Sequence, residues 1–239
     1  GIRDVERSRG LGDVYKRQIS YHAAYVLMYV RATDALGTTW GEPVIVASQG
    51  NAYSNSMAIV NGRPAIAYYS TEDGKLMYIR ADDANGDSWG EPFAVSGTSF
   101  RNMHQSLSLV IVSGQPAIAY ECNEPDGLAY IRALDANGDS WGSPIQVAFL
   151  FLANYNSMAV INGRPAISYY DIEDNFLLKY VRAGDANGNT WGSPIALECR
   201  ADIKSSLAEI NGNPAIAYLS LIHISEPTRP LYTSYAVFC

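Results

Sequence analysis

The chain has 239 residues and a net charge of −7, with 17 Lys and Arg against 24 Asp and Glu. Five of the basic residues lie among the first 18, and the rest of the chain has no basic cluster. This composition argues against nucleic acid or an anionic membrane surface as a partner. The sequence also has no run of 18 apolar residues, so it predicts no membrane-spanning helix.

Both ends of the chain lack the pattern of the middle. The stretches that stand out are Asp13-Val-Tyr-Lys-Arg-Gln18 and Leu221-Ile-His-Ile-Ser-Glu-Pro-Thr-Arg229. They closely resemble translated sequencing-adapter DNA that flanks reading frames assembled from environmental samples. We therefore expect 1–18 and 220–239 to be non-native tails. The body, 19–219, is then a fragment of a bacterial, metagenomic protein, with 11 Lys and Arg, 20 Asp and Glu, and a charge near −9.

The strongest signal in the body is a Trp-Gly pair that occurs four times, with no other Trp in the chain. The pairs begin at Trp40, Trp89, Trp141 and Trp191, at spacings of 49, 52 and 50 residues. A large aromatic residue that returns at one register marks a structural repeat, in which each unit is one supersecondary element.

Each repeat contains four short runs rich in Ile, Val, Tyr and Ala, separated by turn residues, which is typical of β-strands. Asn61-Gly62 and its counterparts lie between the first and second runs, where a two-residue hairpin loop requires positive φ. Asp83-Ala-Asn-Gly86 and its counterparts join the third run to the fourth, which the Trp begins. The pattern predicts two antiparallel hairpins for each unit.

The strands are apolar on both faces, as in Ala65-Ile-Ala-Tyr-Tyr69, so each sheet should be covered on both sides. We predict an all-β, partial β-propeller built from four-stranded antiparallel blades of about 50 residues. Three blades are whole, and the rival architecture is a β-solenoid. We expect the Trp to pack against the neighbouring blade. The predicted whole blades are 51–97, 101–148 and 153–198, and the partial units are 19–48 and 203–219.

An Arg and an Asp also recur, three residues apart, in every unit that has a third run. An Arg on a covered sheet face needs a partner, so we expect it to bond turn carbonyls or the Asp rather than to bind anions. The pairs are Arg31 and Asp34, Arg80 and Asp83, Arg132 and Asp135, and Arg182 and Asp185.

The turn Asp83-Ala-Asn-Gly-Asp-Ser-Trp89 resembles the Asp box of sialidases and related propellers, Ser/Thr-x-Asp-x-Gly-x-Thr-Trp. Here two residues separate Asp from Gly, and Ala81 replaces the leading Ser/Thr. The resemblance implies a structural hairpin away from the active site and a glycan-directed relative. Asp83, Asn85 and Asp87 also alternate oxygen ligands, but Gly86 stands at position four instead of six, so we expect no calcium, no other metal and no cofactor.

The loops at the opposite end of the sheets vary between units and are the predicted binding face. The candidate ligand-binding residues are Tyr53, Tyr69, Arg101, His104, Glu121, Tyr155, Tyr170 and Asp171. Glu121 and Asp171 are interpreted as equivalent loop starts in adjacent blades. They form the one candidate carboxylate pair for glycoside hydrolysis.

Two functions therefore remain open. The favoured one is a non-enzymatic, extracellular binding module that presents its variable loops to a glycan or a protein, with no catalytic residues. The alternative is a sialidase-like glycoside hydrolase or lyase fragment that uses Glu121 and Asp171. The resemblance to sialidases does not extend to their catalytic residues, because no residues of this chain match them.

Overall fold

The computed structural model describes residues 17–23, 26–48, 54–72, 74–96, 106–123, 126–149, 153–174 and 177–220. Every regular element within these ranges is a β-strand. The strands are β1 (Gln18–Ala23), β2 (Val26–Arg31), β3 (Val44–Ala47), β4 (Asn55–Val60), β5 (Arg63–Ser70), β6 (Lys75–Arg80), β7 (Phe93–Ser96), β8 (Leu107–Val112), β9 (Gln115–Asn123), β10 (Asp126–Arg132), β11 (Ile145–Phe149), β12 (Ala153–Ile161), β13 (Arg164–Asp171), β14 (Leu177–Arg182), β15 (Ile195–Ile210) and β16 (Asn213–Ser220).

The strands form successive antiparallel sheets in chain order. Sheet 1 contains β1–β3, sheet 2 contains β4–β7 and sheet 3 contains β8–β11. Sheet 4 contains β12–β14 and the first part of β15, which continues into sheet 5 and pairs there with β16. The predicted all-β architecture of four-stranded blades is confirmed.

The hairpin between the first and second strands of each unit has positive φ at both central residues. The φ angles are 46° and 77° at Asn61 and Gly62, and 50° and 79° at Ser113 and Gly114. This backbone matches the right-handed twist of the flanking strands, and Asn and Gly adopt it at low cost. The sequence signal for these turns is therefore confirmed.

The recurring Trp packs against the preceding sheet, as predicted. The ring of Trp141 lies edge-on to that of Tyr78, with centroids 5.2 Å apart, and its indole nitrogen donates to the carbonyl of Gly138 at 2.8 Å. Trp89 and Trp191 make the same contacts with Tyr29 and Tyr130. The Trp does not begin the fourth strand, however. It forms an isolated bridge with Ala133 or its counterpart, and the strand starts four residues later.

The Asp of each turn accepts hydrogen bonds from the backbone ahead of it. Both carboxylate oxygens of Asp83 accept hydrogen bonds, which come from the N–H groups of residues 85 to 88 at 2.7–3.3 Å. Its pKa lies below the ordinary value, because these bonds outweigh the opposing effect of desolvation. Local turn chemistry therefore accounts for the recurring spacing of Asp and Gly in these turns.

The recurring Arg side chains have structural partners. Arg80 donates to the carbonyls of Val60 and Asn61, and Arg182 donates to those of Ile161 and Asn162. The predicted bond to turn carbonyls is confirmed for these two. Arg132 instead bonds the Gln115 side chain, and Arg31 bonds the Asn85 side chain in the next sheet.

Sheets 2 to 5 are also joined through their first strands. The N–H of Leu109 donates to the hydroxyl of Ser56, that of Met158 to Ser108, and that of Leu207 to Ser157, each at 3.0 Å. The donors and the acceptors each occupy one register position of the repeat. The same bond therefore fixes each sheet to the next at the inner edge.

The first strand of the structure starts inside the predicted N-terminal tail. Gln18 pairs with Arg31, and the carbonyl of Arg17 accepts from Ala32 at 2.8 Å. The carbonyl of Pro64 accepts from Ala81 in the same way in sheet 2. Gln18 thus belongs to a second strand of the repeat. Ser220 likewise ends β16, while the rest of both predicted tails lies outside the described residues.

Candidate functional site

Two turns of neighbouring units meet at one end of the sheets. Asn61 donates to Asn137 at 2.8 Å, and Ser113 donates to the carbonyl of Ala186 at 3.0 Å. The strand ends that lead to the variable loops lie at the other end, as the sequence predicts. Of the candidate residues there, Tyr53, Arg101 and His104 lie outside the described residues.

The Tyr candidates differ from their predicted placement in loops. Tyr69 and Tyr170 lie within strands β5 and β13 and are 5% and 2% exposed. The hydroxyl of Tyr69 donates to the carbonyl of Glu121 in the next sheet at 3.0 Å. Tyr155 is partly exposed and has a φ of 56°, where a register shift interrupts the pairing of β12 with β13.

Glu121 projects into the interface between sheets 3 and 4. Its cross-strand partner, Leu128, packs in the cluster that contains Ile167 and Tyr169 of sheet 4, and residues opposite each other share a face. Glu121 is 1% exposed, and neither carboxyl oxygen has a hydrogen-bond partner. Desolvation and the nearby charge of Asp126 raise its pKa from 4.5 to about 7.

A second unpaired acceptor lies beside Glu121. Asn156 donates through its side-chain nitrogen to the carbonyl of Ser106 at 2.7 Å, while its oxygen Oδ1 is buried without a partner. Ser106 precedes Leu107, which pairs with Tyr120, so the register places Ser106 next to Glu121. The inner end of the interface therefore holds two buried groups whose hydrogen-bonding capacity is unused.

Asp171 faces the same interface from the opposite side. Ile167 and Tyr169, on the same face of β13, pack against sheet 3. Asp171 is 3% exposed and accepts from Lys179 at 2.7 Å and from the N–H groups of Glu173 and Asp174 at 3.1 and 3.2 Å. The pKa of Lys179 is raised, because its bonds to Asp171 and Asp174 outweigh the effect of desolvation.

The interpretation of Glu121 and Asp171 as equivalent positions is wrong. The hairpin pairing aligns Glu121 with Tyr69 and Tyr170, whereas Asp171 aligns with Ser70 and Cys122. One residue of offset turns a side chain to the other face of its sheet. Because the two residues lie in adjacent sheets, this offset makes them face each other across one interface.

A cleft of about 620 Å³ opens at the loop end of this interface. Its polar wall contains Asp171, Glu173, Asp174 and Lys179. Tyr169 lies at its base with its ring fully buried and its hydroxyl without a partner, and desolvation together with Asp171 raises the pKa of that hydroxyl. The remaining lining residues are apolar: Val147, Ala148, Phe149 and Pro194.

Sequence reasoning missed three members of this site: Lys179, Asn156 and Tyr169. The repeat contained a signal for Lys179, because this residue occupies the position of Met77 and Ala129 in third strands that are otherwise apolar. Glu121 shows a similar substitution, because it replaces the Tyr that bridges sheets 2 and 3. For the unpaired oxygens of Asn156 and Tyr169 there was no signal, since whether they find a partner depends on the adjacent sheet.

The described residues contain no cluster of three or more His, Cys, Asp or Glu that could hold a metal ion. Over the same ranges there is no helix with the length and apolar character needed to span a bilayer.

No family model and no curated protein matches the sequence. Solved structures do match the fold. An α-L-arabinofuranosidase from Lactobacillus brevis is 11% identical, with a TM-score of 0.54 over 92% of this chain and 85% of that one. An endo-arabinase from Bacteroides thetaiotaomicron is 12% identical, with a TM-score of 0.50 over 92% and 87%. A Hadza microbial sialidase is 15% identical, with a TM-score of 0.54 over 81% of this chain and 46% of that one.

These similarities identify the fold as a β-propeller of the kind found in glycoside hydrolases of family 43 and in sialidases. They agree with the expected resemblance to the sialidase-like propellers. At 10–15% identity they concern the fold alone.

Proposed function

We propose that this chain is the propeller of a glycan-active protein and that it hydrolyses glycosides with Glu121 as the proton donor. The observation that carries the proposal is the buried, unpaired carboxyl of Glu121, with a pKa raised to about 7. A glycosidase needs one carboxylic acid that keeps its proton near neutral pH, and burial is the usual means of keeping it.

The second carboxylate of the mechanism is Asp171. Glycoside hydrolysis uses two carboxyl groups on either side of the scissile bond, and Glu121 and Asp171 face one interface from opposite sheets. Glu121 would transfer its proton to the glycosidic oxygen as the C–O bond breaks. Asp171, which contacts Lys179 at 2.7 Å, would take a proton from the attacking water. The hydrolytic activities in the names of the structural neighbours support this class of reaction.

The full chain should be tested with fluorogenic glycosides of L-arabinofuranose, D-galactose and sialic acid. We expect Glu121→Gln to lower kcat by about 10²–10⁴-fold, the usual contribution of general acid catalysis. The wild-type rate should fall above about pH 7, where Glu121 loses its proton. Glu91→Gln, at an exposed carboxylate of another sheet, is the matched control. Turnover that survives in Glu121→Gln would show that Glu121 is not the acid.

The second candidate function is glycan binding without hydrolysis. It is favoured by the saturation of Asp171, whose oxygens accept from Lys179 and two backbone N–H groups. In this case the panel of glycosides is not turned over, but oligosaccharides still bind. Charge reversal at Glu121 or Arg101 should then weaken every glycan or protein interaction of the variable face. Either function fits an extracellular protein, since polymeric glycans are found outside the cell.

A further inference from the structure

We propose that the cleft between sheets 3 and 4 is a sugar-binding subsite that accepts neutral glycans and excludes carboxylated ones. The proposal rests on the glycan-directed function for the class of ligand. It adds where a sugar unit binds and which charge is tolerated. The site consists of Tyr169, Phe149 and the ion-paired group of Asp171, Asp174 and Lys179.

The first argument is the buried hydroxyl of Tyr169. The side chain is fully buried and lines the cleft, yet its hydroxyl has no hydrogen-bond partner. A buried polar group left unpaired costs about 1–3 kcal/mol, so a native structure normally provides a partner. Its counterpart in sheet 3, Tyr120, has such a partner in the hydroxyl of Ser96 at 3.3 Å. A sugar hydroxyl in the cleft would provide Tyr169 with the hydrogen-bond partner that Ser96 provides for Tyr120.

The second argument is the shape and lining of the cleft. A volume of about 620 Å³ falls within the range of ligand pockets. Phe149, at the end of β11, lines the cleft and is 78% exposed, so its ring is accessible to a ligand. Its ring can cover the apolar C–H face of a sugar, while the polar wall bonds the hydroxyls.

The third argument is charge, which selects among glycans. Asp171, Glu173 and Asp174 face a single cation, Lys179, so the wall carries a net charge of −2. Lys179 already contacts both Asp171 and Asp174, at 2.7 and 2.8 Å. It therefore has little capacity left to neutralise an incoming carboxylate. A uronic or sialic acid in this open cleft would meet like charges, which disfavours binding.

The test is calorimetric titration of the full chain with galactotriose, arabinotriose and xylotriose, and with trigalacturonic acid. We expect at least one neutral trisaccharide to bind and trigalacturonic acid to bind at least tenfold more weakly. Tyr169→Phe and Phe149→Ala should each weaken the neutral ligand by about fivefold or more. Ile45→Ala removes another exposed apolar side chain, 59% exposed and in sheet 1, and should leave binding unchanged.

Three outcomes would overturn the subsite. The first is that no neutral trisaccharide binds to a chain whose cooperative thermal unfolding shows that it is folded. The second is that trigalacturonic acid binds as tightly as the neutral sugars. The third is that Tyr169→Phe and Phe149→Ala bind like wild type. The two proposals are separated by what is measured. Loss of trisaccharide binding in Tyr169→Phe and Phe149→Ala tests the subsite, whereas turnover of the glycosides in Glu121→Gln tests the proton donor.

Discussion

The hydroxyl of Tyr78 donates to the carbonyl of Asn137 in the next sheet at 2.8 Å, and the same ring lies edge-on to Trp141. Tyr29 and Tyr130 make the same bond to Asn85 and Asn187. One residue of the third strand thus joins each sheet to the turn of the next. Sheet cohesion in this propeller therefore depends on two repeated hydrogen bonds, this one and the bond to the first-strand serine, as well as on apolar burial.

Tyr78→Phe should lower the free energy of unfolding by about 1–2 kcal/mol, because it removes the donor and leaves the Asn137 carbonyl without it. The ring contact with Trp141 is retained. The measurement is equilibrium unfolding in urea. Tyr180→Phe is the matched control, since Tyr180 occupies the same position in sheet 4 and its hydroxyl has no protein partner in the described residues. An equal loss for both variants would contradict the proposed linkage.

Gly138→Ala should be markedly more destabilising than Gly163→Ala. Both glycines have positive φ, 81° and 72°, so both variants pay about 1 kcal/mol of backbone strain. A Cβ at Gly138 would also meet the Tyr78 ring at 2.8 Å, whereas a Cβ at Gly163 would meet nothing within 4 Å. Overpacking of this kind costs about 1–3 kcal/mol more. Thermal unfolding of the two variants measures the difference, and equal melting temperatures would exclude the clash.

The sequence was sufficient for features that are local or repeated. The Asn61-Gly62 turn and the Asp83 turn are determined by backbone chemistry within a few residues. The Trp141 register follows from periodicity alone. The offset of one residue between Glu121 and Asp171 is also present in the repeat, since Glu121 is five residues after Pro116 and Asp171 is six after Pro165. The prediction aligned the loops after β9 and β13 instead and missed it. The burial of Tyr69 and Tyr170 could not be predicted from the sequence, because it depends on which sheet covers each strand.

Glu121 should make the stability of the fold decrease between about pH 4.5 and 7. The pKa of Glu121 is about 7 in the folded chain and near 4.5 in the unfolded chain. As the pH rises through this range, the unfolded chain loses its proton first and is stabilised relative to the folded chain. Below pH 4.5 Glu121 is protonated in both the folded and the unfolded chain, so it no longer lowers the free energy of unfolding. The full shift corresponds to roughly 3 kcal/mol as an upper figure. The low-pKa carboxylate of Asp135, about 2, acts only at more acidic pH.

Urea unfolding from pH 4 to 8 measures this dependence. Glu121→Gln keeps the shape and removes the titration, so its stability should stay flat where that of wild type falls. The variant should therefore be the more stable protein at pH 8. A wild-type curve that rises across pH 4.5–7, with the same slope in Glu121→Gln, would show that the carboxyl is not held protonated.

Lys179→Met should destabilise the chain by about 3 kcal/mol or more at pH 7. It leaves the buried carboxylate of Asp171 without its cation, and breaking a buried pair from one side is costly. Asp174→Asn should cost less than about 1 kcal/mol, because the Asp174 side chain is 47% exposed. The double variant Lys179→Met/Asp171→Asn should recover much of the loss, since no unpaired charge remains. A double-mutant cycle from urea unfolding measures the coupling, and additive losses for Lys179 and Asp171 would show that the pair does not support this edge of the interface.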